Sequence, residues 1–186
     1  MKYPIHFVGA GPGDPELITV KGRRLLEEAD CIVYAGSLVP ETLLKGCKAG
    51  ARIHNSAPLT LEETHTLLRE GYLGGERVVR LHTGDPALYG AIQEQMELLD
   101  REAIPYAVVP GVSAVFAAAA ALTQELTLPE VSQTVILTRM AGRTPVPEGE
   151  DLRSLATHRA TLVIYLSVQQ IEKVVEEIMP GYGRET

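Results

Sequence analysis

Alternation is the strongest constraint on this chain. Short apolar, β-branched runs at Ile5-His6-Phe7-Val8, Cys31-Ile32-Val33-Tyr34, Arg77-Val78-Val79-Arg80-Leu81 and Tyr106-Ala107-Val108-Val109 each lead into a small-residue loop and then into a stretch with helical period. Strands that alternate with helices pair in parallel through crossover connections, so the expected class is α/β with a mostly parallel sheet flanked by helices. A weaker strand is expected at Arg52-Ile53-His54.

The helices carry their own punctuation. One is expected from Thr19 to Ala29, and a short one over Glu41 to Lys45. Thr60 and Glu63 form the T-x-x-E pattern of a capping box, which opens a helix to about Arg69 before Gly71 and Gly74-Gly75 end it. Further helices are expected over 91–101 and over 114–122, the latter capped by Ser113. The alternation breaks around Thr123 to Glu130. It resumes with strands at Thr134 to Thr138 and Thr161 to Leu166, and helices over 151–157 and from Val168 to Met179 that stop at Pro180-Gly181. A first domain is therefore expected over 1–110 and the beginning of a second over 111–186. With only two clear strands, the second domain reads as truncated and the chain as a fragment.

The loop after the third run, His82-Thr83-Gly84-Asp85-Pro86-Ala87-Leu88-Tyr89-Gly90, is the first place to look for a ligand. Ligands of open α/β sheets sit outside the carboxyl ends of the strands. Gly84 permits close approach, Asp85 offers acceptors and Pro86 stiffens the turn. Gly9-Ala10-Gly11-Pro12-Gly13-Asp14-Pro15 and Pro110-Gly111-Val112-Ser113-Ala114 occupy the same place after the first and fourth runs.

Several chemistries are excluded or disfavoured. The dinucleotide fingerprint needs glycine where Asp14 stands, and Pro12 and Pro15 obstruct an immediate helix. Without a Gly-Lys pair there is no phosphate-binding P-loop, and Gly111-Val112-Ser113-Ala114-Val115 lacks the closing glycine of a nucleophile elbow. His6, His54, His65, His82 and His158 stand singly and Cys31 and Cys47 fall in different elements, so no metal site is expected. His82 is the histidine worth testing, although a hydrogen-bonded structural role is the commoner reading.

A formal net charge of -7 argues against a general nucleic-acid partner. The longest apolar run, Val112 to Leu122, is too short for a membrane span, and no secretory leader is read at the N-terminus, which makes the cytoplasm the default location. A site built of backbone groups and a few acceptors suits a methyl donor such as S-adenosylmethionine, whose chemistry needs alignment more than acid-base groups.

Three motifs in this order, G-A-G-P-G-D-P with L-I-T-V-K-G after it, V-V-R-L-H-T-G-D-P-A-L-Y-G at 78–90 and V-V-P-G-V-S-A at 108–114, resemble those of the tetrapyrrole (uroporphyrinogen, corrin) methyltransferases over essentially the whole chain. The segments at 34–39, 82–96 and 133–147 look most like the branch that methylates C11 of precorrin-4 or cobalt-precorrin-4 in cobalamin biosynthesis. The resemblance implies a two-domain enzyme, usually a homodimer, with S-adenosylmethionine in the cleft between domains. It carries donor contacts onto Pro12, Thr83, Gly84, Asp85, Leu88, Ser113, Ala114 and Leu166. Asp14, Ser37, Arg139 and Arg143 are the substrate candidates, the two arginines through the tetrapyrrole carboxylates.

Relatives acting on uroporphyrinogen III carry an aspartate right after the position of Tyr34. Here it is Ala35, so no general base is transferred. Two alternatives stay open: another tetrapyrrole or macromolecular acceptor for the same donor, and a non-catalytic small-molecule binding module.

Overall fold

The computed structural model describes residues 2–142 and 144–185, apart from the side chain of Ser37. The chain forms two compact units, Met1–Ala117 and Ala118–Thr186, so the expected boundary at about 110 falls inside the first unit.

In the first unit β1 (Ile5–Gly9), β2 (Cys31–Tyr34), β3 (Arg52–Asn55), β4 (Val78–His82) and β5 (Tyr106–Val109) make one sheet in the order β3-β2-β4-β1-β5. Every pairing is parallel, with His6 beside Val79, Cys31 beside Val78 and Ile5 beside Tyr106. Helices cover both faces. On one, α1 (Val20–Glu28) sets Leu26 against Val8, Ile32, Val79 and Leu81. On the other, α3 (Leu61–Leu73) and α4 (Gln93–Arg101) set Leu68 and Leu99 against Ile5, Phe7, Val33 and Val78. The short α2 (Glu41–Leu44) adds Leu43 to the first face.

Sequence rules explain most ends. Thr19 Oγ1 accepts the Gly22 amide and starts α1, and Thr60 and Glu63 complete both halves of the capping box on α3. Three boundaries depart from expectation. Gly71 does not end α3, because it is buried where a Cβ would come within 2.7 Å of a Val78 methyl, so it serves helix-on-sheet contact and the chain turns only at Gly74. The helix expected from Ala91 begins at Gln93, because Ala91 has φ +48°.

The third departure lies in the second unit. There β6 (Val135–Arg139) pairs in parallel with β7 (Thr161–Tyr165), Val135 beside Thr161, and α6 (Leu152–Ala156) and α7 (Ile171–Tyr182) accompany them. Helix α7 runs through Pro180 and Gly181 instead of stopping there. The proline forfeits one backbone hydrogen bond near the helix end, whereas the Gly183 amide still reaches the Met179 carbonyl at 2.8 Å and Tyr182 donates to the Ala160 carbonyl. Helix α5 (Ala114–Ala121) crosses the division between the units.

Candidate functional site

The sheet order locates the site. From β1 the chain passes over β4 to reach β2, whereas from β4 it passes over β1 to reach β5. Their following helices α1 and α4 lie on opposite faces, so the carboxyl ends of β1 and β4 form a topological switch point, the usual ligand position in such sheets.

The loops leaving β1, β4 and β5 are in direct backbone contact there. Gly11 and Gly84 form an isolated antiparallel bridge: the Gly84 amide donates to the Gly11 carbonyl at 2.8 Å and the Gly11 amide to the Gly84 carbonyl at 3.3 Å. A Cβ on Gly111 would lie 2.0 Å from the Gly84 oxygen, and one on Gly9 would lie 2.5 Å from the Gly111 Cα. Only glycines allow this approach. The floor of the switch point is thus a knot of main chain with its amides and carbonyls close together.

Asp85 fastens the knot. Its Oδ1 accepts the Ala87 amide at 2.8 Å and its Oδ2 accepts the Gly111 amide at 2.9 Å. The expectation that this carboxylate grips a ligand meets a group whose two oxygens already accept backbone amides, one of them 26 residues away. The turn after it is tightly wound: the Leu88 amide reaches the Asp85 carbonyl at 3.2 Å, Tyr89 and Ala91 have φ of +55° and +48°, and a Cβ on Gly90 would strike the Pro86 oxygen at 2.1 Å. Left-handed non-glycine residues gather where the surrounding structure imposes them, often at binding sites.

The sequence candidates are spread over both units. Pro12, Thr83, Gly84, Asp85, Leu88, Ser113 and Ala114 all lie on the three joined loops, and a Cβ on Gly84 would be 3.8 Å from Ser113 Cα and 4.0 Å from the Ala114 amide nitrogen. Asp14, on the first loop, is exposed and caps the following turn by accepting the Glu16 amide at 2.9 Å. Leu166 belongs to the second unit, where it is 74% exposed with φ +56°. Arg139 closes β6 and spends its guanidinium on its own loop, donating to the carbonyls of Met140, Thr144 and Pro145 at 3.2, 3.1 and 3.0 Å. Ser37 lies in the single turn Gly36–Leu38, with its side chain outside what is described, and Arg143 lies outside the described residues.

His82 is 3% exposed, stacked on Phe7 with ring centroids 6.0 Å apart. Burial, with the Arg80 charge beside it, pushes its pKa down to about 3, so it is neutral in ordinary buffers. The hydrogen-bonded histidine of the sequence reading is corrected on one point: Nε2 has no partner among the described residues. Sequence reading missed Arg80 and Gln95, which are buried beneath the same loop. The signal was there, a charge in the centre of the apolar run Arg77–Leu81. At Ala35, where a base would stand, the backbone amide donates to the Leu81 carbonyl at 3.0 Å and the side chain is a methyl.

No helix among the described residues is long and apolar enough to cross a membrane. The model of the Tetrapyrrole (Corrin/Porphyrin) Methylases matches residues 4–186. The cobalt-precorrin-4 C(11)-methyltransferase of Methanocaldococcus jannaschii is 57% identical over 178 residues, 96% of this chain and 69% of its own. A solved cobalt precorrin-4 methyltransferase, a cobalamin biosynthetic enzyme, superposes with a TM-score of 0.92 at 51% identity, covering 96% of this chain and 74% of its own. Uroporphyrin-III C-methyl transferase from Thermus thermophilus, solved with S-adenosyl homocysteine, gives 0.78 at 32% identity over 98% of this chain and 73% of its own. The glycine knot at the switch point, the fold around it and a match running through almost every residue agree: this chain belongs to the tetrapyrrole (corrin/porphyrin) methylases.

Proposed function

We propose that this chain is a methyltransferase that moves the methyl group of S-adenosylmethionine to C11 of precorrin-4 or its cobalt form, a step of cobalamin biosynthesis. The carrying observation is the knotted three-loop floor in a chain 51% identical to a cobalt precorrin-4 methyltransferase of the same fold. The donor assignment draws on the family and on the S-adenosyl homocysteine in the Thermus thermophilus relative.

The chemistry asks little of side chains. An enamine-like ring carbon attacks the methyl carbon in line. Its electron pair forms the new C–C bond while the methyl–sulfur bond breaks and leaves its electrons on sulfur, giving the neutral thioether. The positive charge passes to the enamine nitrogen, which releases its proton to water. The protein's part is to hold the neutral enamine and the cationic donor at near-attack distance, a matter of positioning rather than of proton transfer by a side chain. Ala35 supplies no base, consistent with that division of labour.

In this reading Pro12, Thr83, Gly84, Leu88, Ser113 and Ala114 line the donor site through backbone groups and apolar contact, with Leu166 as a further donor contact. Asp85 serves the site by holding Gly111 in place. Asp14, Ser37 and Arg143 are the substrate-side candidates, and Arg139 is tied to the carbonyls of Thr144 and Pro145. The working form is a homodimer in the cytoplasm, in keeping with the family resemblance.

Incubation with precorrin-4, or cobalt-precorrin-4, and methyl-labelled donor tests the assignment. The expected product is one methyl heavier, with the label on C11 by NMR. Label at another ring carbon, or none transferred to either ring, would reject it.

A further inference from the structure

Arg80 lies in the middle of β4 and is 6% exposed, yet it makes no ion pair among the described residues. Its Nε donates to Gln95 Oε1 at 2.8 Å and its NH1 to the Val33 carbonyl at 3.1 Å. Gln95, on the first turn of α4, is 5% exposed, and its Nε2 donates to the Ala91 carbonyl at 2.8 Å. These contacts fix the orientation of the amide. Arg80 can only donate, so the oxygen of Gln95 must face it, and the amide NH2 is left to face Ala91. Ala91 is the left-handed residue that closes the turn begun by Asp85, and no glycine relieves it.

A single side chain therefore connects a buried cation in the sheet to the strained end of the loop. It must accept on one side and donate on the other. A glutamine does both. A glutamate would satisfy the charge of Arg80 better but would set a second acceptor against the Ala91 carbonyl, and an apolar residue of the same length would do neither.

We infer that Gln95 is a positioning residue for methyl transfer: anchored on Arg80, it holds Ala91 left-handed and so keeps the Asp85–Tyr89 turn in the shape that receives the donor. This rests on the donor reading of the turn given above. It adds a residue that touches neither substrate and acts through Ala91 alone.

The test uses the 186-residue chain with Gln95→Glu and Gln95→Met, S-adenosylhomocysteine as probe in calorimetry, thermal unfolding without ligand, and amide exchange over Leu88–Ile92. In Gln95→Glu the affinity should fall by about tenfold or more. Exchange over Leu88–Ile92 should quicken, while the unfolding midpoint is held or raised, because Arg80 gains a counter-charge. Gln95→Met should lose affinity and quicken exchange in the same segment. Kinetically, both variants should raise KM for the donor and leave KM for the tetrapyrrole unchanged. Unchanged affinity in Gln95→Glu beside a wild-type chain that binds the probe would overturn this inference alone. Parallel losses of melting temperature and affinity in both variants would overturn it in favour of a merely structural role. A wild-type chain that binds no probe would instead reject the donor reading beneath it.

Discussion

Asp85 and Gly111 stand 26 residues apart in the chain and are joined by a 2.9 Å hydrogen bond from the Gly111 amide to the Asp85 carboxylate, which ties the loop after β4 to the loop after β5. Removing the acceptor strands an amide and frees the loop that carries Ser113 and Ala114. Asp85→Ala should weaken binding of S-adenosylhomocysteine by more than about tenfold, or about 1.4 kcal/mol, in calorimetry. Asp85→Asn offers an NH2 where Gly111 needs an acceptor and should lose nearly as much. Amide exchange at Gly111 should quicken in both. Weakened binding with Gly111 still protected would mean that the carboxylate touches the donor after all.

The same junction forbids side chains. In Gly111→Ala the new Cβ would sit 2.0 Å from the Gly84 oxygen, with backbone on both sides and no flexible atom to yield. Overpacking of this kind costs about 1–3 kcal/mol, and here the loops must also part, so urea unfolding should shift to lower concentration and donor binding should be lost. Gly46→Ala, at a site where the nearest atom would be 3.9 Å away, is the matched control and should leave both measurements near wild type. Equal behaviour of the two variants would show that the close approach is unimportant.

His82 makes stability depend on acid. Its pKa in the folded chain is about 3, below the ordinary value of 6.5, so between those values the unfolded chain takes up a proton that the folded chain refuses. Stability from this source is complete above pH 6.5 and drains away as pH falls towards 3, by about 2 kcal/mol at pH 5. His82→Leu removes the imidazole. Urea titrations at pH 8 and pH 5 should show the variant gaining on wild type by about that amount at the lower pH. Parallel pH profiles would mean that His82 is protonated in the fold, against its burial beside Phe7 and Arg80.

What could be read from the sequence was local. The capping box of Thr60 and Glu63 and the strand exits at Gly9, Gly84 and Gly111 are contiguous signals, and they fall where the residues say. The failures are tertiary. Gly71 looks like a stop until Val78 is seen beneath it, and Pro180 looks like one until the bonds from Gly183 and Tyr182 are counted. The strand order, which makes a switch point of β1 and β4, is written in no single segment. The tie from Asp85 to Gly111 is invisible in the sequence because the partner lies beyond the next helix, and Arg80 reads as one residue of an apolar run because nothing nearby in sequence names Gln95 as its acceptor.

Arg139 gives the sharpest contrast between a substrate contact and a loop organiser. Its guanidinium donates to the carbonyls of Met140, Thr144 and Pro145, a fork that fixes the path of the chain after β6. A lysine keeps the charge but has neither the planar donors nor the reach for carbonyls on both sides. If the residue served only to attract tetrapyrrole carboxylates, Arg139→Lys would retain most of the affinity for the ring and Arg139→Ala would not. Because the bonds run to the loop itself, both variants should behave alike. Limited proteolysis should cut sooner between Met140 and Pro147, and KM for the tetrapyrrole should rise by a similar factor in each, with donor binding unchanged. Rescue by lysine would restore Arg139 to the substrate side of the site.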